Sequence, residues 1–373
     1  MGPAGFAESD FTFLNRSARA EVNRIRKLLE QWFSQFPVNG KSQLMSRFRS
    51  KDNRQHIGAF FELYCFALGN HQGYDVEVHK SADLAKSTQP DFLFRLDGRP
   101  ACYLESTLAS GPNTRHAAQE RLNQVYDALN RLVSPDFFIG VKIQAAAAYT
   151  PSASRMRLFL EKKLRTADYD TIIAGGPKSV PKWEWSDGKW KIVFSPFPKK
   201  QEARNKPGVR PIGSQIRVFP HVDSRTPLLN AVKSKARHYG NFECPYIIAV
   251  NAMDIFIDEI DIYDAFFGKE HLLMDVRTGQ MTPNRAADGL WVGPEGPRNQ
   301  RVSGVLFVSR LTPWDIATKT PTLWHNPWAT SKFDGVWSGP QMLLDTETSR
   351  MEPKQGTPGW ELLGLLPSWP SNR

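Results

Sequence analysis

The sequence predicts an α/β protein. Short apolar runs such as DFLFRL (91–96) and ACYLEST (101–107) read as strands, and longer runs with helical spacing stand on either side of them. With 373 residues, 40% of them hydrophobic and 23% charged, the chain has the composition of an ordinary globular protein able to bury a sizeable core. The expected organisation is an N-terminal helical segment (1–50), a core (51–150), and a sheet extension with a basic segment and an irregular C-terminal region (151–373).

Residues 17–36 place Val22, Ile25, Leu28, Leu29 and Trp32 on one helical stripe that Pro37 closes. Residues 57–68, IGAFFELYCFAL, form a second helix, apolar nearly all round. YDVEVHK (74–80), DFLFRL and ACYLEST follow as three strands, with Asp97-Gly98 marking a hairpin turn. A polar helix over 114–132 leads to the strand DFFIGVKIQ (136–144), expected to lie parallel to the 101–107 strand through a right-handed crossover. Beyond it come a basic helix at 152–165, a hairpin at WEWSDGKWKIVF and a helix at 226–238. PYIIAVNAM (245–253) and SGVLFVSRL (303–311) read as buried strands that continue the sheet. The last 60 residues, rich in Pro and Trp, show weak periodicity and are expected to be irregular.

The formal charge of +10 favours an acidic partner, nucleic acid above all. Cys65, Cys102 and Cys244 lie in apolar surroundings without metal-ligand spacing, as core thiols of a reducing compartment do. The N-terminus MGPAGFAESD has neither a signal-peptide nor a myristoylation pattern, and no apolar run approaches a membrane span. The expectation is a cytoplasmic protein without a membrane partner.

The stretch QPDFLFRLDGRPACYLEST (89–107) sets an acid at each end of an apolar hairpin. If Asp97, Gly98 and Arg99 form a three-residue loop, Leu96 faces Pro100, and Asp91 then lies directly across from Glu105 on the same face. A two-residue loop reverses the parity and separates them. Paired carboxylates repel unless a cation or a shared proton stands between them, and hard oxygen ligands suit Mg²⁺ or Mn²⁺. The plainer reading is a solvated strand end or a pair with Arg95. Glu62, the single charge in residues 57–68, needs a partner of its own if buried.

A helix carrying Glu62, a strand, a strand opening Pro90-Asp91, a strand carrying Glu105-Ser106-Thr107, a helix and a strand together resemble the PD-(D/E)XK superfamily, the restriction-endonuclease-like nucleases. The resemblance covers residues 54–144. The chain also resembles a group of bacterial proteins with a similar PDF…ExT core, from which no activity follows. The superfamily resemblance implies a mixed sheet flanked by helices, here with a C-terminal α+β extension. It implies Mg²⁺ (or Mn²⁺) held by Asp91 and Glu105, Glu62 contributing directly or through water, and the Ser106 carbonyl completing the shell. The implied activity is endonucleolytic hydrolysis of DNA, in a setting such as bacterial genome defence. The alternatives are a catalytically inactive module that keeps the fold and binds nucleic acid, and a scaffold in which the acids make structural ion pairs. The family's lysine position holds Thr107, and Lys80 and Lys142 are the substitutes that the expected strand order brings nearest.

Residues 178–211 carry nine basic and three acidic side chains. Lys182, Lys189, Lys191, Lys199, Lys200 and Arg204 are candidate phosphate contacts, together with Arg115 on the helix after Glu105. Trp183, Trp185 and Trp190 could stack on bases, or equally pack one hairpin face onto a core. The expected partner is DNA rather than RNA, with a homodimer or a partner subunit compatible with the sequence. The acidic run 254–264 lacks the spacing of a calcium loop.

Overall fold

The computed structural model describes the chain except Met1 and residues 80–88, 112, 207–208, 217–222, 241, 254–256, 275–276, 278, 280, 348–349 and 372–373, and except the side chains of 113–116, 213–216 and 283. The chain divides into two compact units: Ser9–Gly111 with Asp223–Arg373, and Met1–Glu8 with Pro112–Val222. This differs from the expected boundaries at 50 and 150. One α/β unit is inserted in the middle of another, and secondary-structure periodicity carries no sign of which elements share a core.

The larger unit opens with α1 (Asp10–Arg16), α2 (Ala20–Gln35), α3 (Val38–Phe48) and α4 (Asn53–His71). It continues through β1 (Asp75–Val78), β2 (Phe92–Leu96) and β3 (Arg99–Ala109). The smaller unit supplies α5 (Asn113–Asn130), β4 (Phe137–Ala145), α6 (Ala153–Arg165), α7 (Tyr169–Ala174), β5 (Trp183–Asp187), β6 (Trp190–Pro198) and β7 (Ile212–Ile216). The chain then re-enters the larger unit with α8 (Arg225–Ala236), β8 (Tyr246–Ala252), α9 (Glu259–Phe267), β9 (Glu270–Met274), β10 (Met281–Arg285), β11 (Val292–Gly293) and β12 (Gly296–Pro297). It ends with β13 (Gly304–Ser309), β14 (Thr322–His325), β15 (Gln341–Asp345), β16 (Arg350–Lys354) and α10 (Gly359–Leu362).

The larger unit is built on a mixed eight-stranded sheet in the order β1-β2-β3-β8-β13-β14-β15-β16. Strands β3, β8 and β13 run parallel, with Glu105 opposite Ile248 and Gly304 opposite Ile247. All seven residues of β8 are buried, as the apolar run 245–253 requires of a central strand. Helix α4 is buried from His56 to Gly69 except at the half-buried Gly58, which explains a sequence that is apolar on every face. Its C-terminal end comes very close to the β1–β2 pair. A Cβ on Gly69 would lie 2.7 Å from the Phe94 ring and 2.8 Å from a Val76 methyl, so only glycine fits. The C-terminal region, expected to be irregular, instead adds β14, β15 and β16 to the sheet edge; these strands are short and half-exposed, which blurs their alternation.

The 89–107 hairpin departs from the expected loop but keeps its consequence. Asp97 (φ 50°) and Gly98 (φ 74°) form a two-residue turn, with Leu96 opposite Arg99. A β-bulge then inserts Ala101, so Arg95 faces Pro100 while Phe94 faces Cys102. The extra residue restores the parity that the shorter loop would have lost. Phe92 faces Leu104, and one further step along the register sets Asp91 against Glu105.

The strand expected beside β3 lies elsewhere. β4 belongs to the smaller unit's four-stranded sheet, ordered β5-β6-β4-β7, and β8 takes the place beside β3. An apolar strand after a helix satisfies the crossover rule equally well in either position, so the rule could not discriminate. In the smaller unit, Val125, Tyr126 and Leu129 of α5, Met156 and Leu160 of α6 and Ile172 of α7 pack on the inward residues of β4, β5 and β6. Trp183, Trp185 and Trp190 belong to this core, at 8%, 9% and 0% exposure. Base stacking by these tryptophans is therefore corrected to core packing. Among the described residues no helix is long and apolar enough to cross a membrane.

Candidate functional site

At the end of β3 the larger unit opens into a cleft of about 410 Å³. Arg47 of α3, Glu62 of α4, Asp91 at the entrance to β2, Glu105, Ser106 and Thr107 of β3, and Lys235 and Tyr239 from α8 and the turn after it all line it. Asp91 and Glu105 are locked together. The Asp91 backbone N–H donates to Glu105 Oε2 at 3.0 Å, and Asp91 Oδ2 accepts from the Ser106 N–H at 3.0 Å and the Ser106 hydroxyl at 2.6 Å. His79 ties the end of β1 to the same place, its N–H donating to the Asp91 carbonyl at 2.9 Å.

Glu105 is 3% exposed, and cationic and neutral donors surround it. Lys235 Nζ donates to Oε1 at 2.5 Å, and the Tyr239 hydroxyl donates to Oε2 at 2.9 Å. Both donors follow from the way α8 packs. Leu228, Leu229, Val232 and Ala236 turn into the core and leave Lys235 in the last turn beside them, while Tyr239, buried just beyond the helix end, brings its hydroxyl to the same carboxylate. Burial raises the Glu105 carboxyl pKa above its ordinary value, and the negative charge of Asp91 adds to the shift. Lys235 and Tyr239 pull the other way. The Tyr239 hydroxyl is pushed far up by burial and then by Glu105, so it remains a proton donor throughout the physiological range.

Glu62 is buried at 2% exposure and paired with Arg47. The cleft is therefore balanced in formal charge: Glu62, Asp91 and Glu105 stand against Arg47, Arg54 and Lys235.

No family model, curated protein or solved structure matches this chain. The site has to be read from its own geometry.

Asp91, Glu105, Ser106 and Glu62 line one cleft, brought together from α4 and the β2–β3 pair. Lys80 lies outside the described residues. Lys142 is an exposed residue of β4 in the smaller unit's sheet, and β8 takes the place beside β3, so the strand pairing expected to bring Lys142 to Glu105 is corrected. Lys199 is likewise no phosphate contact, being buried with Nζ donating to the Ser134 carbonyl at 2.7 Å. Arg204 pairs with Asp136 at 2.7 Å and stacks over the Tyr169 ring at 4.0 Å, so its charge is already engaged. Lys182, Lys189, Lys191 and Lys200 are exposed. Arg115 belongs to α5, with its side chain outside the described residues.

Sequence reasoning missed Lys235, Tyr239 and Arg47. Lys235 falls in the last turn of α8 and Tyr239 just beyond it, and their place gains meaning only because α8 is the helix that leads into the strand beside Glu105.

Among the described residues no group of three or more His, Cys, Asp and Glu side chains is gathered as a metal ion would require. The donor set nonetheless offers a hard cation two carboxylates, Asp91 and Glu105, the latter raised first by burial and then by the charge of Asp91. Glu62 and Glu105 are alike in being engaged by a cation, Arg47 at Glu62 and Lys235 at Glu105, so a metal ion at either would replace part of that pairing.

Proposed function

We propose that the protein is a metal-dependent nuclease with a divergent restriction-endonuclease-like core formed by α4, β1–β3, α8 and β8. One observation carries the reading: Lys235 Nζ lies 2.5 Å from Glu105 Oε1, beside Asp91. A lysine from α8 thus supplies the positive charge that the motif leaves out at Thr107.

Asp91 and Glu105 would hold Mg²⁺ or Mn²⁺. When bound, the dication supplies Lewis-acid stabilisation of phosphoryl oxygens and acidifies water. The chain's own residues do the rest. The Ser106 N–H and hydroxyl fix the Asp91 carboxylate, and the Tyr239 hydroxyl and Asp91 N–H fix that of Glu105. Lys235 holds a fixed positive charge beside the carboxylates, where negative charge develops as a phosphodiester is attacked. Arg54 on the cleft wall is suited to backbone phosphates, while the Arg47 charge is engaged by Glu62.

The test incubates the protein with plasmid, single-stranded DNA and RNA in Mg²⁺, Mn²⁺ or EDTA, beside Asp91→Ala and Glu105→Gln. Metal-dependent cutting that both substitutions abolish supports the nuclease. The inactive binding module has its own supporting observation: both Glu62 and Glu105 are already neutralised by a protein cation. Binding without cutting in any metal would establish that second reading instead.

A further inference from the structure

We propose that the smaller unit is the part of this protein that holds nucleic acid, through the exposed basic face of α6 and without reading bases. The inference rests on the nuclease reading for its choice of polyanion.

The two units differ sharply in charge. Residues 1–8 and 112–222 carry 19 Lys and Arg against 10 Asp and Glu, a net of +9. Residues 9–111 and 223–373 carry 29 against 28, a net of +1. Almost the whole surplus of the chain lies in the unit that does not contain the cleft. Such a concentration of like charge works against compactness, and a bound polyanion relieves it.

Within that unit α6 concentrates the effect. Its sequence, ASRMRLFLEKKLR, has five basic residues and one acid. Met156 and Leu160 anchor the buried side, and Arg155, Leu158, Lys162 and Arg165 follow one another at helical spacing on the exposed side. Arg155 bonds to Asp187 at 2.8 Å, while among the described residues no acid lies within ion-pair range of Lys162, Lys163 or Arg165. Cations in a last turn do favour the helix dipole. That accounts for one or two of them and for none of the surplus elsewhere in the unit. From Arg155 to Arg165 the stripe is about 15 Å long, roughly the rise of four nucleotides of one strand. The unit's three hairpin tryptophans are buried, so they offer no platform for bases, and the inference rests on charge. The contact is electrostatic, and its affinity is set by salt.

The experiment titrates the full chain in EDTA with a fluorescent 20-base-pair duplex between 50 and 200 mM salt. Wild type is compared with the triple variant Lys162→Gln, Lys163→Gln, Arg165→Gln and with a control triple in the larger unit, Lys27→Gln, Lys51→Gln, Lys332→Gln. Each lost phosphate contact lowers the slope of log affinity against log salt by about 0.9. The α6 triple should therefore lose roughly two to three units of slope and at least tenfold in affinity, whatever the duplex sequence, while the control stays within twofold of wild type. Should the triple melt early, the single variants Lys162→Gln and Arg165→Gln should each lose about one unit. An α6 triple that keeps its slope and affinity overturns the proposal. So does a wild type that ignores the duplex and binds phosphatidylserine vesicles. Because binding is read without metal, a wild type that binds but never cuts sinks the nuclease reading and leaves this result standing.

Discussion

Replacing Lys235 by Met tests the site most directly. In the folded protein Lys235 faces a carboxylate only 3% exposed, while its own side chain is 32% exposed. Removing one partner of a fully buried pair costs about 3–5 kcal/mol, because the remaining charge stays buried without its counter-ion. A third of Lys235 lies in water, and Tyr239 and the Asp91 N–H still donate to Glu105, so the expected loss is about 1–3 kcal/mol in urea unfolding. The effect on plasmid cutting should be far larger in relative terms, about 10²–10⁴-fold, the usual range for a positioned charge or proton-transfer group. Adding Thr107→Lys supplies the decisive arm. Positions 105 and 107 share a face of β3, and Thr107 lines the cleft, so a lysine there would bring a second ammonium to the same carboxylates. The double variant should recover at least tenfold of the lost rate. If Lys235→Met cuts within threefold of wild type while Asp91→Ala is dead, Lys235 is a structural counter-ion and the reasoning fails.

Tyr239→Phe removes one of two donors to Glu105 Oε2 and should cost about 1–2 kcal/mol by urea unfolding; an unchanged midpoint would show that the hydroxyl is dispensable. His56 is fully buried, with Nδ1 on the Phe48 carbonyl and its pKa held below 6.5 chiefly by burial. The unfolded chain then takes up a proton near pH 6.5 that the folded state refuses, so stability falls as pH drops from 6.5 toward the lowered folded value. The slope is at most about 1.4 kcal/mol per pH unit. His56→Gln should flatten that part of the stability curve relative to wild type, and parallel curves would refute the assignment. Gly69→Ala should destabilise by about 1–3 kcal/mol, since the added methyl meets Phe94 and Val76 inside contact distance; a neutral result in thermal melts would mean that the β1–β2 pair gives way easily.

What the sequence made legible was local. The apolar periodicity of 57–68, the Asp97-Gly98 turn and the unbroken runs at 245–253 and 303–311 each became the element expected of them. The facing of Asp91 and Glu105 was reached through the wrong loop, because no residue in the hairpin announces the bulge at Ala101. The larger misreading came from chain order. Between Gly111 and Asp223 a second α/β unit interrupts the first, and its opening helix and strand imitate the helix and strand that the sheet was waiting for. A pattern that is locally complete gives no reason to look 100 residues further on. That is why Lys142 was favoured and Lys235, on the true crossover helix, was passed over.

Stability alone does not account for what fills the cleft. A buried ion pair is usually matched or bettered by apolar side chains of similar volume, since desolvation of both charges offsets most of their attraction. Here one cleft holds Glu62 with Arg47, Glu105 with Lys235, and Asp91 bonded to Ser106. Elsewhere the same fold is free to use hydrocarbon: α4 surrounds Glu62 with aliphatic and aromatic neighbours, and β8 is apolar but for Asn251. Three acids and three cations converge on one open cavity and leave its formal charge balanced, and on the nuclease reading a bound dication would turn it positive toward a phosphodiester. The arrangement is costly as packing and coherent as chemistry, and that contrast is the physical reason to seek the activity at the end of β3.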